Sequence, residues 1–338
     1  RPAIAPGRCF TSPRVIDTLN IELRQHDAPG IDFVRAVGPC LRNTGATHYD
    51  EHPERCAIIG DLCGLGCKVT YTSVRLNGSI HKFIRGNNIE PITRPEIQTA
   101  IAELSASTGL PLNRAIVRRV DVGAALVVEN PPRRYIDALG RLEGFSCNPY
   151  SAGGVYYSDG GGSDTGLCIY DKTAEMRANH RTMPPDYAGR YILRYELRHM
   201  KGHAPGAPGT VQTVEQLLGT YTYNALCREW ARRFKEINKI TALTDMRHIK
   251  TVKAANLIGA RMVIEAAGGL EVVLERIDAA RAAGYTTRKQ AYDLRNLYKE
   301  AAAFNDTNPE AEELEEKIRL ALLAGGVVPE VEEPHDIE

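Results

Sequence analysis

Three short strings along the middle of the chain set charged and phenolic side chains into apolar runs. They are Arg118-Arg119-Val120-Asp121-Val122, Leu167-Cys168-Ile169-Tyr170-Asp171-Lys172, and Tyr191-Ile192-Leu193-Arg194-Tyr195-Glu196-Leu197-Arg198. Each has the pattern of a strand, and side chains alternate faces along a strand. Leu167 and Ile169 fall on one face and Tyr170 and Lys172 on the other. Tyr191, Leu193, Tyr195 and Leu197 form an apolar row opposite Arg194, Glu196 and Arg198, and Val120 and Val122 oppose Arg119 and Asp121. On a shared sheet, one polar face would carry two carboxylates, a tyrosine and several cations. That is the inventory of a metal-dependent phosphoryl-transfer site with a tyrosine nucleophile.

Spacing alone leaves each role open. Tyr170 is either the nucleophile or one of fifteen tyrosines packed at a strand end. A phenol ionises near pH 10 and needs activation. Lys172, two residues on and so on the same strand face, would stabilise phenolate or phosphate charge. Tyr156 and Tyr157 are rivals across the presumed hairpin. Asp121 and Glu196 suit Mg²⁺ or Mn²⁺, which take hard oxygen ligands; alternatively Asp121 pairs with Arg119, and Glu196 with Arg194 or Arg198. Lys82, Arg85, Asn87 and Asn88 end the string Ser79-Ile80-His81-Lys82-Phe83-Ile84-Arg85-Gly86-Asn87-Asn88. These residue types contact phosphates and base edges, although a solvated strand end has the same composition.

Together with Ser79–Asn88 and the start Val15-Ile16-Asp17-Thr18-Leu19, the three strings resemble the gene II family of phage and plasmid replication initiators. The likeness runs over roughly residues 15 to 202 and more loosely to about 300. It implies a rolling-circle initiator, an enzyme that nicks origin DNA, holds the 5′ end as a phosphotyrosine ester and later rejoins the strands. The family's Tyr-x-Lys-x-x-Glu pattern matches Tyr170, Lys172 and Glu175, which implies Tyr170 as nucleophile. Its Arg-x-Asp and Arg-x-Glu-x-Arg strings imply Asp121 and Glu196 as ligands of Mg²⁺ or Mn²⁺. Arg119, Arg194 and Arg198 are then expected to contact DNA with the Lys82–Asn88 group. Origin DNA and the host helicase and polymerase are the implied partners, in the cytoplasm of a bacterial host. The chain departs from the wider class of rolling-circle nucleases in lacking a His-hydrophobic-His triplet. That leaves the third metal ligand open, with His81 either a nitrogen ligand or a partly exposed structural residue. A non-catalytic DNA-binding, replication-control protein on the same scaffold, as in the family's gene X product, is the alternative. A tyrosine recombinase is disfavoured, because its site uses no metal and sits on helices.

At 338 residues, 43% hydrophobic and 25% charged, the chain reads as a soluble globular protein of one large or two ordinary domains. It shows no apolar run of membrane-spanning length and no signal-peptide pattern. A start at Arg1 rather than Met is expected of a processed or trimmed chain. Eight cysteines fit reduced cytosolic thiols, and Cys56, Cys63 and Cys67 lack a fourth ligand at zinc-site spacing. No P-loop string is present, which argues against ATPase or helicase activity. From Asn305 to Glu338 eleven acidic residues face two basic ones. A zero net charge overall therefore leaves the rest of the chain basic, as DNA binding asks.

The elements that must position these residues read as α+β, with an antiparallel sheet domain followed by a mostly helical region. The expected organisation is an irregular arm over 1–14, a nicking domain over 15–203, a helical region over 210–304 and a solvated acidic tail over 305–338. The linker is placed in the Pro/Gly-rich stretch His203–Gly209. A hairpin is expected over Cys67–Arg85, turned at Asn77-Gly78. A helix opened by Thr93, Pro95 and Glu96 is closed by Gly109. A further helix is expected near 131–143, and a second hairpin links Gly154–Tyr157 to the Tyr170 strand through Gly160–Ser163. In the helical region Thr286 or Thr287 caps a helix after Gly284. Arg288, Arg295 and Lys299 fall on one face of that helix, like a helix-turn-helix against duplex DNA; an ordinary helical hairpin has the same pattern.

Overall fold

The computed structural model describes residues 16–47, 56–159, 165–200, 212–240, 251–303 and 308–327. The expected arm at 1–14, the Gly160–Ser163 turn and the His203–Gly209 linker lie outside the described residues. The chain divides into two compact units, Arg1–Asn238 with Glu312–Glu338, and Lys239–Ala311.

The first unit is built on ten antiparallel strands. They are β1 (Ile16–Arg24), β2 (Arg42–Thr47), β3 (Ala57–Leu62), β4 (Leu65–Val69), β5 (Ser73–Ser79), β6 (Ile116–Val128), β7 (Ser146–Tyr150), β8 (Gly154–Ser158), β9 (Thr165–Asp171) and β10 (Tyr191–His199). They form one sheet in the order β2-β3-β4-β5-β1-β6-β10-β9-β8-β7. The α+β antiparallel class read from the sequence is therefore the class observed. Its helices are α1 (Phe33–Val37), α2 (Ile80–Arg85), α3 (Arg94–Thr108), α4 (Pro132–Asp137), α5 (Lys172–Ala178), α6 (Val214–Leu217) and α7 (Thr220–Glu236).

Period-two alternation gives the sheet one apolar face. Leu19, Ile21 and Leu23 of β1, Val120 and Val122 of β6, Leu167 and Ile169 of β9, and Leu193, Tyr195 and Leu197 of β10 all join the main core. Ile97, Ile101 and Leu104 of α3 and Trp230 and Phe234 of α7 close it. Tyr195 stacks on Trp230 with ring centroids 5.3 Å apart and donates its hydroxyl hydrogen to the Trp230 carbonyl at 2.8 Å. Burying this aromatic pair is worth several kcal/mol, so α7 belongs to the sheet unit. The compact units accordingly part at 238/239 rather than at the Pro/Gly stretch near 203–209.

Local signals decide the elements around the polar face. The α3 helix opens with the full capping box of Thr93 and Glu96 and ends at Gly109 in the left-handed region, as its sequence requires. The hairpin expected at Asn77-Gly78 does not form. Both residues lie inside β5, paired with β1 and β4, and the chain reverses instead at Thr70–Ser73. An Asn-Gly hairpin turn needs positive φ at both residues, and Asn77 is not among the residues with positive φ. Residues 80–85 are then helix rather than strand, because Ser79 caps the first turn and Gly86 (φ 71°) ends the last. Likewise β9 stops at Asp171, whose carboxylate caps α5, so Lys172 is a first-turn helical residue and not a strand neighbour of Tyr170. The helix near 131–143 is confined to α4.

The second unit contains α8 (Val252–Ala267), α9 (Leu270–Ala282) and α10 (Arg288–Ala303) around a small core of Leu257, Ile264, Leu274 and Ile277. Thr287 is the cap of α10: its hydroxyl accepts from Gln290 N at 3.2 Å, and Gln290 returns the bond at 2.9 Å. The segment read as a solvated acidic tail carries a helix, α11 (Pro309–Ala324), whose Leu314, Ile318 and Leu322 are buried. Its apolar residues recur at helical spacing among the glutamates, and that periodicity outweighs the charge count.

Candidate active site

The opposite face of the sheet is where the predicted residues meet. Arg194 of β10 lies beside Tyr170 of β9 and Ala125 of β6, Glu196 beside Cys168 and Gly123, and Arg198 beside Asp121. Sheet pairing alone therefore brings Tyr170, Glu196, Asp121, Arg194 and Arg198 onto adjoining strands. Glycines let these side chains lie close to the backbone. A Cβ on Gly123 would sit 2.6 Å from the Tyr195 carbonyl and 2.9 Å from Glu196 Cγ, and one on Gly154 2.5 Å from Tyr170 Cβ. Larger residues at either position would lift Glu196 or Tyr170 off the sheet.

Glu196 is the centre of the network. Its Oε1 accepts from Tyr170 Oη at 3.1 Å and from Arg194 Nε at 2.9 Å. Its Oε2 accepts from Arg198 Nη2 at 2.8 Å and Nε at 3.2 Å. Burial alone would raise the Glu196 carboxyl, but Arg194 and then Arg198 outweigh it and hold it below its ordinary range. Tyr170 is only 6% exposed. Burial, and next the Glu196 charge, push its phenol far above the ordinary value, so at rest it is a neutral hydrogen-bond donor.

Arg194 is fully buried and holds the two ends of the site together. Its Nη2 reaches Asp17 Oδ2 at 2.6 Å, and its Nη1 reaches the Asn88 carbonyl at 3.4 Å. Asp17 also accepts from Ser79 Oγ at 2.9 Å and faces His81 Nδ1 at 3.4 Å. Burial would raise Asp17 as well, yet Arg194 and His81 hold it well below the carboxylate range. Asp17 was not singled out in the sequence. It occupies a bulge: Ile16 pairs with Val122 and Thr18 with Asp121, leaving Asp17 as the extra residue. The readable signal is the spacing of Ile16 and Leu19, three apart, which breaks the period of two that continues through Ile21 and Leu23.

Asp121 is held by Arg119 through two bonds of 2.8 and 2.7 Å, with Arg198 Nε at 3.9 Å. Burial, partly offset by Arg119, raises its carboxyl. Lys172 is reached by a different route from the one expected. From the first turn of α5 its buried Nζ lies 5.9 Å from the Tyr170 ring centroid and 2.6 Å from Glu175 Oε2. Burial, and next Arg194, lower its pKa. The Lys82–Asn88 group is helix and turn. Arg85 pairs with Glu96, and Asn87 Oδ1 caps the turn by accepting from Ile89 N and Glu90 N at 2.9 and 3.0 Å. Asn88 is buried, with its carbonyl on Arg194. His81, expected to be partly exposed or a ligand, is wholly buried beside Asp17.

Among the rivals to Tyr170, Tyr157 faces the main core, with its hydroxyl on the Gly140 carbonyl at 2.8 Å. Tyr156 shares the polar face with Tyr150, which the strand patterns do not mark. Tyr150 lies 5.6 Å from Tyr170 between ring centroids, and its hydroxyl accepts from Arg198 at 3.1 Å. The Arg198 guanidinium sits over both rings, 5.3 Å from Tyr150 and 5.9 Å from Tyr156.

The donor set does not fit a divalent ion between Asp121 and Glu196. All four carboxylate oxygens already accept from Arg119, Arg194, Arg198 or Tyr170. Among the described residues no group of three His, Cys, Asp or Glu converges on a point. An ion reaching either acid would have to displace an arginine. The described cysteines are unpaired thiols. No helix among the described residues is long and apolar enough to cross a membrane.

No curated protein matches the chain. Residues 59–207 match the family model described as the replication-associated protein G2P N-terminal region, a span holding Asp121, Tyr170, Glu196 and every arginine of the network. Over this segment the chain is similar to the G2P family of replication-associated proteins.

Proposed function

We propose that the chain is the nicking and strand-transfer enzyme of a rolling-circle replication initiator, with Tyr170 as nucleophile. The observation that carries this reading is the Tyr170 hydroxyl, set on Glu196 at 3.1 Å and flanked by the guanidiniums bound to that same carboxylate. A scissile phosphate entering here meets Arg198, and the buried Arg194 adds positive potential behind it; both would offset charge in the transition state. Tyr170 Oη forms a bond to phosphorus as the bond to the 3′ oxygen breaks. The phenol proton passes to Glu196, and solvent protonates the leaving 3′ oxygen. Lys172 offsets charge on the phosphoryl group. The product is a 5′-phosphotyrosine ester and a free 3′ hydroxyl, which a host helicase and polymerase would use. Because the ester conserves the bond, rejoining needs no ATP.

Burial of Tyr170 favours a second reading, a replication-control protein that binds DNA without cutting it. One experiment separates the two. The full chain is incubated with supercoiled DNA of its own replicon, and Tyr170→Phe is run beside it. The enzymatic reading requires nicking with detergent-stable attachment that Tyr170→Phe abolishes while DNA binding persists. Binding without nicking by the unaltered chain selects the second reading.

A further inference from the structure

Away from Tyr170, the same polar face carries a second cluster of cations. Glu22 of β1 is 2% exposed, and three arginines converge on it. Arg75 Nη2 lies 2.7 Å from Oε1, Arg24 Nε 3.1 Å and Arg118 Nε 2.9 Å from Oε2. Burial would raise the Glu22 carboxyl, but the Arg118 and Arg75 hydrogen bonds hold it at about 2. It is therefore ionised at any physiological pH and offsets one of three cations. The three arginine side chains are 40–59% exposed, and Arg24 and Arg75 line, with Glu22, Gln25, His26 and Thr72, a cleft of about 710 Å³ beside Arg118. Holding β1 to its neighbours needs one arginine on that carboxylate. Three close cations on one acid repel each other unless a further anion joins them.

The cluster also lies in line with the proposed nicking site. Arg118 is the extra residue of a second register shift, so it and Arg119 both leave the core face. Along β6, the register partner of Glu22 is Ile116 and that of Arg194 is Ala125. This separation corresponds to about 30 Å at roughly 3.3 Å per residue, or about nine steps of B-DNA at 3.4 Å each. Arg119 and Arg198 lie between the two ends.

Building on the nicking reading above, we propose that Arg24, Arg75 and Arg118, braced by Glu22, grip the phosphate backbone of duplex DNA nearly one helical turn from the bond that Tyr170 cuts. The cleft is a backbone clamp without base readout.

The test uses the full chain and two fluorescein-labelled probes of arbitrary sequence: a 40-base-pair duplex and an eight-nucleotide single strand too short to reach both ends. Arg24→Gln, Arg75→Gln and Arg118→Gln are combined with Glu22→Gln, so that no buried carboxylate is left unpaired. Each phosphate contact contributes about 0.9 to the slope of log Kobs against log salt. The slope for the duplex should therefore flatten by about 2, with at least a tenfold loss of affinity at 50 mM salt, while binding of the short strand is unchanged. Glu22→Gln alone, with all arginines kept, should bind the duplex more tightly and with a steeper slope. An unchanged duplex slope in the combined variant overturns the clamp. So does tighter binding of a poly-glutamate peptide than of the duplex, which would point to an acidic protein partner. Failure of the unaltered chain to bind either probe overturns the nicking reading itself.

Discussion

Replacing Asp17 with asparagine tests whether Arg194 is the brace of the site. Arg194 is fully buried and shared between Asp17 at 2.6 Å and Glu196 at 2.9 Å. Asparagine keeps the shape and one acceptor oxygen but removes a charge from a buried pair, a loss of about 3–5 kcal/mol when a partner is deleted outright. The retained oxygen places the expectation at the lower end, about 3 kcal/mol at pH 7. For a unit of this size that is a fall in Tm of about 6–12 °C. The effect must also depend on pH. The folded Asp17 carboxyl is depressed, chiefly by Arg194 working against burial. Its contribution is therefore complete above the unfolded value near 3.9 and is lost as pH falls below it. Urea unfolding at pH 7, 4 and 3 should show the gap between the unaltered chain and Asp17→Asn constant from 7 to about 4.5. Below about 3.9 it should narrow by about 1.4 kcal/mol per pH unit. A gap under 1 kcal/mol at pH 7, or one that does not narrow in acid, would refute the account of Arg194.

Three further outcomes follow from the same geometry. Gly123→Ala should cut nicking by at least tenfold while shifting Glu196, because its Cβ meets Glu196 Cγ at 2.9 Å; nicking at the unaltered rate by a folded variant would contradict this. In the DNA-free chain Mn²⁺ should bind no tighter than about millimolar by calorimetry, since the carboxylate oxygens are engaged, and Arg198→Gln should tighten it; micromolar binding to the unaltered chain would refute the arrangement. In the helical unit, where Arg295 pairs with Asp278 at 2.5 Å, converting Arg288 and Lys299 to alanine should weaken duplex binding and flatten its salt slope by up to about 2, with cleavage of a short single strand unchanged. An unaltered slope returns duplex recognition to the sheet unit.

What the sequence made legible was periodic. The alternation in Tyr191–Arg198 put the right residues on each face, and the Thr93/Glu96 box with Gly109 marked both ends of α3. What it concealed depended on partners distant in the chain. Asn77-Gly78 has turn chemistry, yet β1 and β4 on either side keep it extended. Lys172 looked like a strand neighbour of Tyr170 because the capping role of Asp171 is visible only once β9 ends. Asp17 entered the site through a bulge that two core residues at unusual spacing only hint at. The metal expectation rested on the resemblance of the Arg-x-Asp and Arg-x-Glu-x-Arg strings together with the hard oxygens of Asp121 and Glu196. The strand spacing also offered the ion pairs of Asp121 with Arg119 and of Glu196 with Arg194 or Arg198, and those are the pairs the geometry shows. The trailing acids mask α11, whose buried Leu314, Ile318 and Leu322 recur at helical spacing among them.

The central claim is that Tyr170 bonds to DNA. Supercoiled DNA of the protein's own replicon, nicked by the full chain and then digested with nuclease and protease, should yield one tyrosine-containing peptide carrying a 5′-phosphonucleotide, mapped by mass spectrometry to Tyr170. A nick with no covalent peptide, or a nucleotide on Tyr150 or Tyr156 instead, would contradict it.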